Sequence, residues 1–219
     1  LDERGATVDT AKSYAGLRSV GFDGPAFQLN GRTVFQRLVL DQGYWPDGIM
    51  TAPSDEALRR DIELSMAAGF NGARLHQKVF EERFLYHADR LGYLVWGEFA
   101  DWGCRDETAK SFDDHQRPGP AYVAEWVEAV RRDLSHPSIV GWCPLNETFQ
   151  TLGDRATVLD EVTVAMFAAT KAIDPTRPVL DASGYAHRVP TADVYDAHDY
   201  DQNPATFRER HDGLLRGKP

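Results

Sequence analysis

Residues 136–147 read His136-Pro137-Ser138-Ile139-Val140-Gly141-Trp142-Cys143-Pro144-Leu145-Asn146-Glu147. The run from Ser138 to Leu145 is mostly apolar and reads as a strand. It leads directly into Asn-Glu. A carboxylate there is unusual, because buried carboxylates are rare unless they are paired or have a task. His136-Pro137 closes the preceding helix, since a residue before proline is pushed out of the helical region. The stretch therefore predicts an apolar strand with a polar pair at its C-terminal end.

The same rhythm extends outward in both directions. Apolar strands are predicted over Val34–Leu40, Asn71–Leu75, Tyr93–Trp96, Ser138–Leu145, Pro178–Ala182 and Val194–His198. Amphipathic helices are predicted over Asp55–Ala68, Glu81–Leu91, Ala121–Leu134 and Thr157–Ile173, with a short one at Ala205–His211. Ser54 stands as the N-cap of the first helix, with Asp55 and Glu56 in the turn where the helix dipole favours anions. Leu58, Ile62 and Met66 give that helix one apolar stripe, and Gly69 ends it. The second helix turns Phe84, Leu85, Ala88 and Leu91 inward and stops at Gly92. The third places Trp126, Val127, Val130 and Leu134 on one side. Residues 11–22 read as a last β-strand and a short linker ahead of this alternation.

Strands alternating with helices imply an α/β fold with a mostly parallel sheet. Six such units fit an open doubly wound sheet or part of a (β/α)₈ TIM barrel. No G-x-G-x-x-G or G-x-x-x-x-G-K-[ST] fingerprint is present, which disfavours a nucleotide-binding doubly wound domain. Polar and aromatic residues instead sit at the ends of several strands: Arg74 and His76, Glu98, Asn146 and Glu147, His198 and Tyr200. Functional groups spread over many strand ends are the barrel pattern.

Composition sets outer bounds. The 219 residues carry 24 Lys and Arg against 34 Asp and Glu, a net charge of −10. Such a surface repels nucleic-acid phosphates and anionic membranes. No apolar run approaches the roughly 18 residues that span a bilayer. Cys104 and Cys143 are the only cysteines, too few for a disulfide framework or a four-cysteine zinc site. Cys143, inside a strand, reads as a buried inert thiol. The sequence opens Leu1-Asp2-Glu3-Arg4, with neither Met nor a signal segment, and reads as a piece of a longer protein whose compartment stays open.

A carboxyl at the closed end of a barrel is desolvated, which favours its neutral form. That is the form a general acid needs at neutral pH. Asn146 beside it offers a donor and an acceptor suited to a sugar hydroxyl. Here the sequence resembles glycoside hydrolase family 2, the group of β-galactosidases, β-glucuronidases and β-mannosidases. The 136–147 stretch resembles that family's acid/base motif. FQLNGRTVFQR at 27–37, GFNGARLHQ at 69–77, FLYHADRLGYLVWGE at 84–98, DPTRPV at 174–179 and YDAHDY at 195–200 agree in order. The segment SYAGLRSV resembles the end of the immunoglobulin-like β-sandwich domain that precedes the family's barrel. The resemblance thus implies residues 1–22 as the tail of that domain and 23–219 as strands one to six of the barrel.

It also implies hydrolysis of terminal β-linked sugars by a retaining mechanism, with two glutamates about 5–5.5 Å apart. Glu147 would be the acid/base, Asn146 would bind the 2-hydroxyl, and Arg74 and His76 would line the pocket. Trp142, Glu98, Asp101, His198 and Tyr200 fall where the family places further pocket residues. A carbohydrate is the implied partner, with no cofactor or metal, and the complete protein could form a homo-oligomer. The family's nucleophile is a glutamate on strand seven. After Glu147 the only glutamates are Glu161, in the fourth helix, and Glu209, in the polar tail, and neither ends an apolar strand. The nucleophile is therefore expected outside this sequence.

Plainer readings stand beside these. Glu147 reads also as a helix-capping carboxylate, and Asn146-Glu147-Thr148 fits a glycosylation sequon. Arg74 reads as one half of a structural ion pair, and Trp142 as core. Trp45 reads as a sugar platform or a loop anchor, and His87 as a surface or interface histidine. His76 has no H-x-x-x-H or H-E-x-x-H companion for metal binding, and there is no G-x-S-x-G nucleophile elbow. A carbohydrate-binding barrel without hydrolase activity is the alternative function.

Overall fold

The computed structural model describes residues 1–101, 119–147, 158–184 and 187–215. Cys104, Thr148 and Thr157 lie outside the described residues. The elements run β1 (Val20–Asp23), β2 (Ala26–Leu29), β3 (Arg32–Thr33), β4 (Leu38–Asp41), α1 (Asp55–Ala67), β5 (Gly72–Leu75), α2 (Glu82–Leu91), β6 (Leu94–Glu98), α3 (Pro120–Asp133), β7 (Ile139–Cys143), α4 (Val158–Ile173) and α5 (Pro204–Leu215).

β4, β5, β6 and β7 pair in that order as a parallel sheet. The chain continues beyond β7 with parallel bridges Trp142–Val179 and Asn146–Ser183, where the fifth strand was expected. The expected sixth strand over 194–198 forms no regular strand. Among the described residues the outcome is a parallel β/α array open at β4, consistent with part of a TIM barrel.

Ahead of the sheet, β1, β2 and β3 form an antiparallel meander. Asn30 and Gly31 join β2 to β3 with φ of 54° and 70°. Two left-handed residues in a two-residue loop make the turn whose twist suits a hairpin. The first barrel strand therefore starts at Leu38 and not at Val34. Residues 6–19 form neither helix nor strand, so the strand expected over 11–22 exists only as β1, one arm of this meander. The segment is tied down nonetheless: Arg18 donates to the carbonyls of Pro137 and Ile139, at 3.0 and 2.6 Å.

The helices follow their sequence signals closely. Ser54 Oγ accepts the Ala57 N–H at 3.1 Å, and Gly92 closes α2 in the left-handed region. Leu58 and Ile62 are buried in α1, but Met66 is exposed, because the α1 end lies beside the open β4 edge. His87 is buried on α2 and meets Asp55 at 3.0 Å, so it is not a surface histidine.

Two cores result. Ala73, Leu75, Val95, Phe99, Trp126, Val130, Trp142 and Met166 fill the layer between sheet and helices. Phe27, Leu94, Trp96, Val140, Cys143 and Leu180 fill the inner face, which the meander shares through Phe27. Two glycine–tryptophan pairs across β6 and β7 knit these layers. Trp96 lies over Gly141 and Trp142 over Gly97, where an added Cβ would stand 2.5 and 2.7 Å from the rings.

Trp142 belongs to the helix-facing layer. Its ring meets Trp126 edge-on at 5.8 Å, and its Nε1 donates to Asp174 Oδ2 at 2.8 Å. Asp174 also accepts from Thr176 and from Arg177 Nη1 at 2.5 Å. Burial pushes the Asp174 carboxyl up, but the bonds from Thr176, Trp142 and Arg177 outweigh it and hold the group at about 2. An acid held this low stabilises the fold above the ordinary carboxyl range and loses that contribution as pH falls toward 2. Asp174→Asn is therefore expected to be less stable than wild type at pH 5. The gap should narrow by about 2 kcal/mol as pH falls to 2. Urea unfolding of both proteins at several pH values checks this, and a pH-independent gap would contradict it.

Candidate active site

The C-terminal ends of β5, β6 and β7 converge on one cluster. Residues two apart on a strand share a face. That rule carries Arg74 and His76 inward from β5 and places Glu98 in line with Leu94 and Trp96 on β6. The Glu98 side chain is wholly buried and sits at the hub. Its Oε2 accepts Arg74 Nε at 2.5 Å. Its Oε1 meets His76 Nδ1 at 2.9 Å and accepts the Gln77 N–H at 2.9 Å. Burial pushes this carboxyl up, but the His76 bond and the Arg74 charge outweigh it, so Glu98 is held below the ordinary carboxylate range. Burial also works against the Arg74 charge, and the surrounding acidic groups reverse it.

Arg74 reaches two further residues. Its Nη2 donates to Asn146 Oδ1 at 2.7 Å, and its Nη1 lies 3.3 Å from His198 Nε2. Asn146 is nearly fully buried, and its backbone N–H donates to Asp101 Oδ2 at 2.8 Å. Arg74 is thus both the ion-pair partner of Glu98 and the anchor of the Asn146 amide.

Glu147 follows at the mouth of this cluster. Its N–H donates to the Ser183 carbonyl at 2.7 Å, which continues the parallel pairing past β7. Its φ is 49°, in the left-handed region that costs a side-chain-bearing residue roughly 1–2 kcal/mol. Backbone strain of this kind collects at functional sites. The side chain is a quarter exposed. Its Oε1 lies 2.7 Å from His198 Nδ1, and the Tyr200 hydroxyl donates to it at 3.4 Å. Tyr200 is otherwise largely exposed at the rim.

The structure brings Arg74, His76, Glu98, Asp101, Asn146, Glu147, His198 and Tyr200 into one connected network. It leaves out Trp142, which faces the helices. Trp45 packs against the helix-facing core and exchanges backbone hydrogen bonds with Ile49, as a loop anchor does. Cys143 is fully buried, and burial, followed by the nearby Glu98 charge, raises its thiol well above the ordinary value. The reading of Glu147 as a helix cap, like the sequon, depends on residues outside those described. Among the described residues no three His, Cys, Asp or Glu side chains converge to hold a metal ion.

Three participants were not flagged by the sequence. Gln77, at φ 59°, turns its N–H onto Glu98 and accepts from Gln42 Nε2 at 3.1 Å. Ser183 and Asp196 stand behind His198: Ser183 Oγ lies 3.0 Å from His198 Nε2 and donates to Asp196 Oδ2 at 2.5 Å. Asp196 lies within the quoted YDAHDY segment, but nothing in the sequence alone links it to Ser183.

The sequence pattern described as the TIM barrel domain of glycosyl hydrolases family 2 matches residues 49–212. A β-galactosidase of Vibrio cholerae is 29% identical over 200 residues, covering 87% of this chain and 18% of that protein. A β-glucuronidase of Rattus norvegicus is 29% identical over 177 residues, covering 77% of this chain and 24% of that protein. The chain therefore spans about a fifth of the length of these relatives. The β-glucuronidase structure of Dictyoglomus thermophilum superimposes with a TM-score of 0.73 over 94% of this chain and 38% of that one, at 19% identity. That of Parabacteroides merdae gives 0.74 over 93% of this chain and 26% of that one, at 17% identity, and both show the shared fold. The parallel β/α array, with its polar network at the strand ends, belongs to glycoside hydrolase family 2 as part of that family's TIM barrel domain.

Proposed function

We propose that this chain carries the acid/base half of a retaining β-glycosidase that cleaves terminal β-linked sugars, of the kind its galactosidase and glucuronidase relatives are named for. One observation carries the reading: a partly exposed carboxyl, Glu147, stands at the mouth of a buried polar network whose other members are already fixed. Glu147 protonates the departing oxygen and then, as a carboxylate, activates water. Asn146, clamped by Arg74 and Asp101, presents its amide to the sugar hydroxyl beside the reacting carbon. Arg74, His76, Glu98, His198 and Tyr200 shape the pocket around them.

The nucleophile in this proposal is a glutamate outside these 219 residues. Glu98 is unsuited to attack, because both its oxygens are engaged by Arg74, His76 and Gln77 in a buried place. Glu161 and Glu209 are exposed on α4 and α5. Residues 1–22 are, in the same proposal, the tail of a preceding β-sandwich domain.

Double displacement keeps the configuration at the anomeric carbon, because each step inverts it once. The complete enzyme acting on a β-glycoside is therefore expected to release the β-anomer first. Proton NMR in the first minutes, before mutarotation, shows which anomer appears. Initial release of the α-anomer would refute the two-step reading.

A further inference from the structure

We propose that His187 is a charged cross-brace that positions Glu147: its imidazolium ties Asp181 to Asp196 and so fixes the Ser183–Gly184 backbone against which Glu147 sits. The brace itself stands on the contacts of His187; its effect on turnover rests on the acid/base reading of Glu147.

His187 lies between two oxygens. Its Nδ1 faces Asp181 Oδ1 at 2.7 Å, and its Nε2 faces the Asp196 carbonyl at 2.7 Å. A carbonyl oxygen only accepts, and so does an ionised carboxylate. A neutral imidazole has one N–H and can serve one of the two; the imidazolium serves both. The alternative is a protonated Asp181 that gives its hydrogen to Nδ1, and the surroundings of Asp181 oppose it. Its side chain is wholly buried, and its Oδ2 accepts the Arg188 and Val189 N–H groups at 2.6 and 2.9 Å. Burial pushes this carboxyl up, but the His187 bond and the backbone N–H groups of Val189, Ala182 and Arg188 outweigh it and hold Asp181 below the ordinary carboxylate range. Burial likewise works against a charge on His187. The bonds to Asp181 and the Asp196 carbonyl, with the charges of both aspartates, outweigh it and raise the ring above its ordinary value. A buried carboxylate needs a counter-charge, and His187 supplies it.

The charged and titratable groups about the ring come from both sides. Asp181 stands on one side; Asp196 brings Oδ1 to 3.4 Å from Nε2 on the other. The Tyr195 ring lies 4.3 Å from the imidazole, and the neighbouring Arg188 is turned toward Asp160 of α4, Nε to Oδ1 at 3.0 Å. From Asp196 the route to Glu147 is short. Asp196 Oδ2 accepts the Ser183 hydroxyl at 2.5 Å, and its Oδ1 accepts the Gly184 N–H at 3.2 Å. The Ser183 carbonyl takes the Glu147 N–H at 2.7 Å. Gly184 has φ of 116°, and a Cβ there would stand 3.2 Å from Glu147 Cγ. The braced backbone thus holds the Glu147 N–H and lies against its side chain, at a residue whose φ of 49° persists only with support from its surroundings. When the ring gives up one proton, the N–H that remains stays with the carboxylate, the stronger acceptor, and the Asp196 carbonyl loses its donor. A histidine raised in the fold stabilises it below the ordinary histidine value and loses that contribution as pH rises through the folded midpoint.

The test is ¹⁵N-histidine and amide NMR on the 219-residue chain through a pH titration, the His187 signals being those absent from His187→Gln. The wild-type ring should keep both N–H groups above about pH 6.5, where an unperturbed histidine is half neutral. Asp181→Asn should lower the midpoint by about one to two pH units, the weight of one charge-assisted hydrogen bond. The Gly184 and Glu147 amide signals should move with the His187 midpoint, and that movement should vanish in His187→Gln. A ring that titrates at or below the ordinary value would overturn the brace, and so would Gly184 and Glu147 amides that ignore it. Both outcomes are read on the wild type, so they decide the matter even if Asp181→Asn does not fold. In the complete enzyme, with an activated aryl glycoside, kcat of the wild type should fall about tenfold as pH rises through the His187 midpoint. His187→Gln should stand about tenfold low at neutral pH and show no further fall there. A His187→Gln profile that matches wild type would overturn the positioning role. A charged ring with moving amides, together with no leaving-group dependence in Glu147→Gln, would fault the acid/base reading and not the brace.

Discussion

Glu147→Gln in the complete enzyme is expected to slow hydrolysis of unactivated β-glycosides by a factor of roughly a hundred to ten thousand. Gln keeps the size of the side chain and its contact with His198 but carries no transferable proton. An alkyl or sugar leaving group departs poorly as an alkoxide and depends on that proton. A nitrophenolate leaves well without one, so aryl glycosides should lose far less in the step that forms the glycosyl-enzyme. Pre-steady-state measurement of that step with both substrate types separates it from the later hydrolysis. Equal losses for the two would remove Glu147 from the acid role.

The second large effect concerns the hub. Glu98→Leu is expected to destabilise the 219-residue chain by about 3–5 kcal/mol, the cost of leaving a buried charge without its partner. Arg74 would lose the partner of its Nε while its Nη2 stayed on Asn146. His76 and the Gln77 N–H would lose their acceptor at the same time. Arg74→Met combined with Glu98→Leu should be less damaging than Glu98→Leu alone, because it removes the orphaned charge as well. Urea midpoints of the two single variants and the double variant check this. A loss below about 1 kcal/mol for Glu98→Leu would mean that the pair behaves like one on the surface.

Much of the array was legible because its signals are local. Ser54, Gly92 and the residue before Pro137 punctuate helices whatever surrounds them. Arg74, His76 and Glu98 could be placed together because strand periodicity puts alternate residues on one face. Trp142 could not be placed in the same way. β7 is buried on both faces, so its sequence does not distinguish the pocket side from the helix side. Only its register against Gly97 decides. The meander had a readable signal in Asn30-Gly31, but the longer apolar run Val34–Leu40 competed for the first strand. Met66 continues the α1 stripe correctly and is exposed because nothing among the described residues covers that edge. Ser183 and Asp196 were hidden because they lie far along the chain from Glu147: the Ser183 carbonyl takes the Glu147 N–H across the sheet, and their side chains reach Glu147 through His198.

The central claim is that Glu147 is the proton-transfer carboxyl of the site. Glu147→Ala in the complete enzyme, with an activated aryl glycoside and added azide, tests it most directly. The alanine leaves a gap on the face where water normally attacks the glycosyl-enzyme, and the small anion needs no base to attack from there. The account predicts that azide restores turnover and yields the β-glycosyl azide. No rescue, or an α-glycosyl azide as the product, would contradict it.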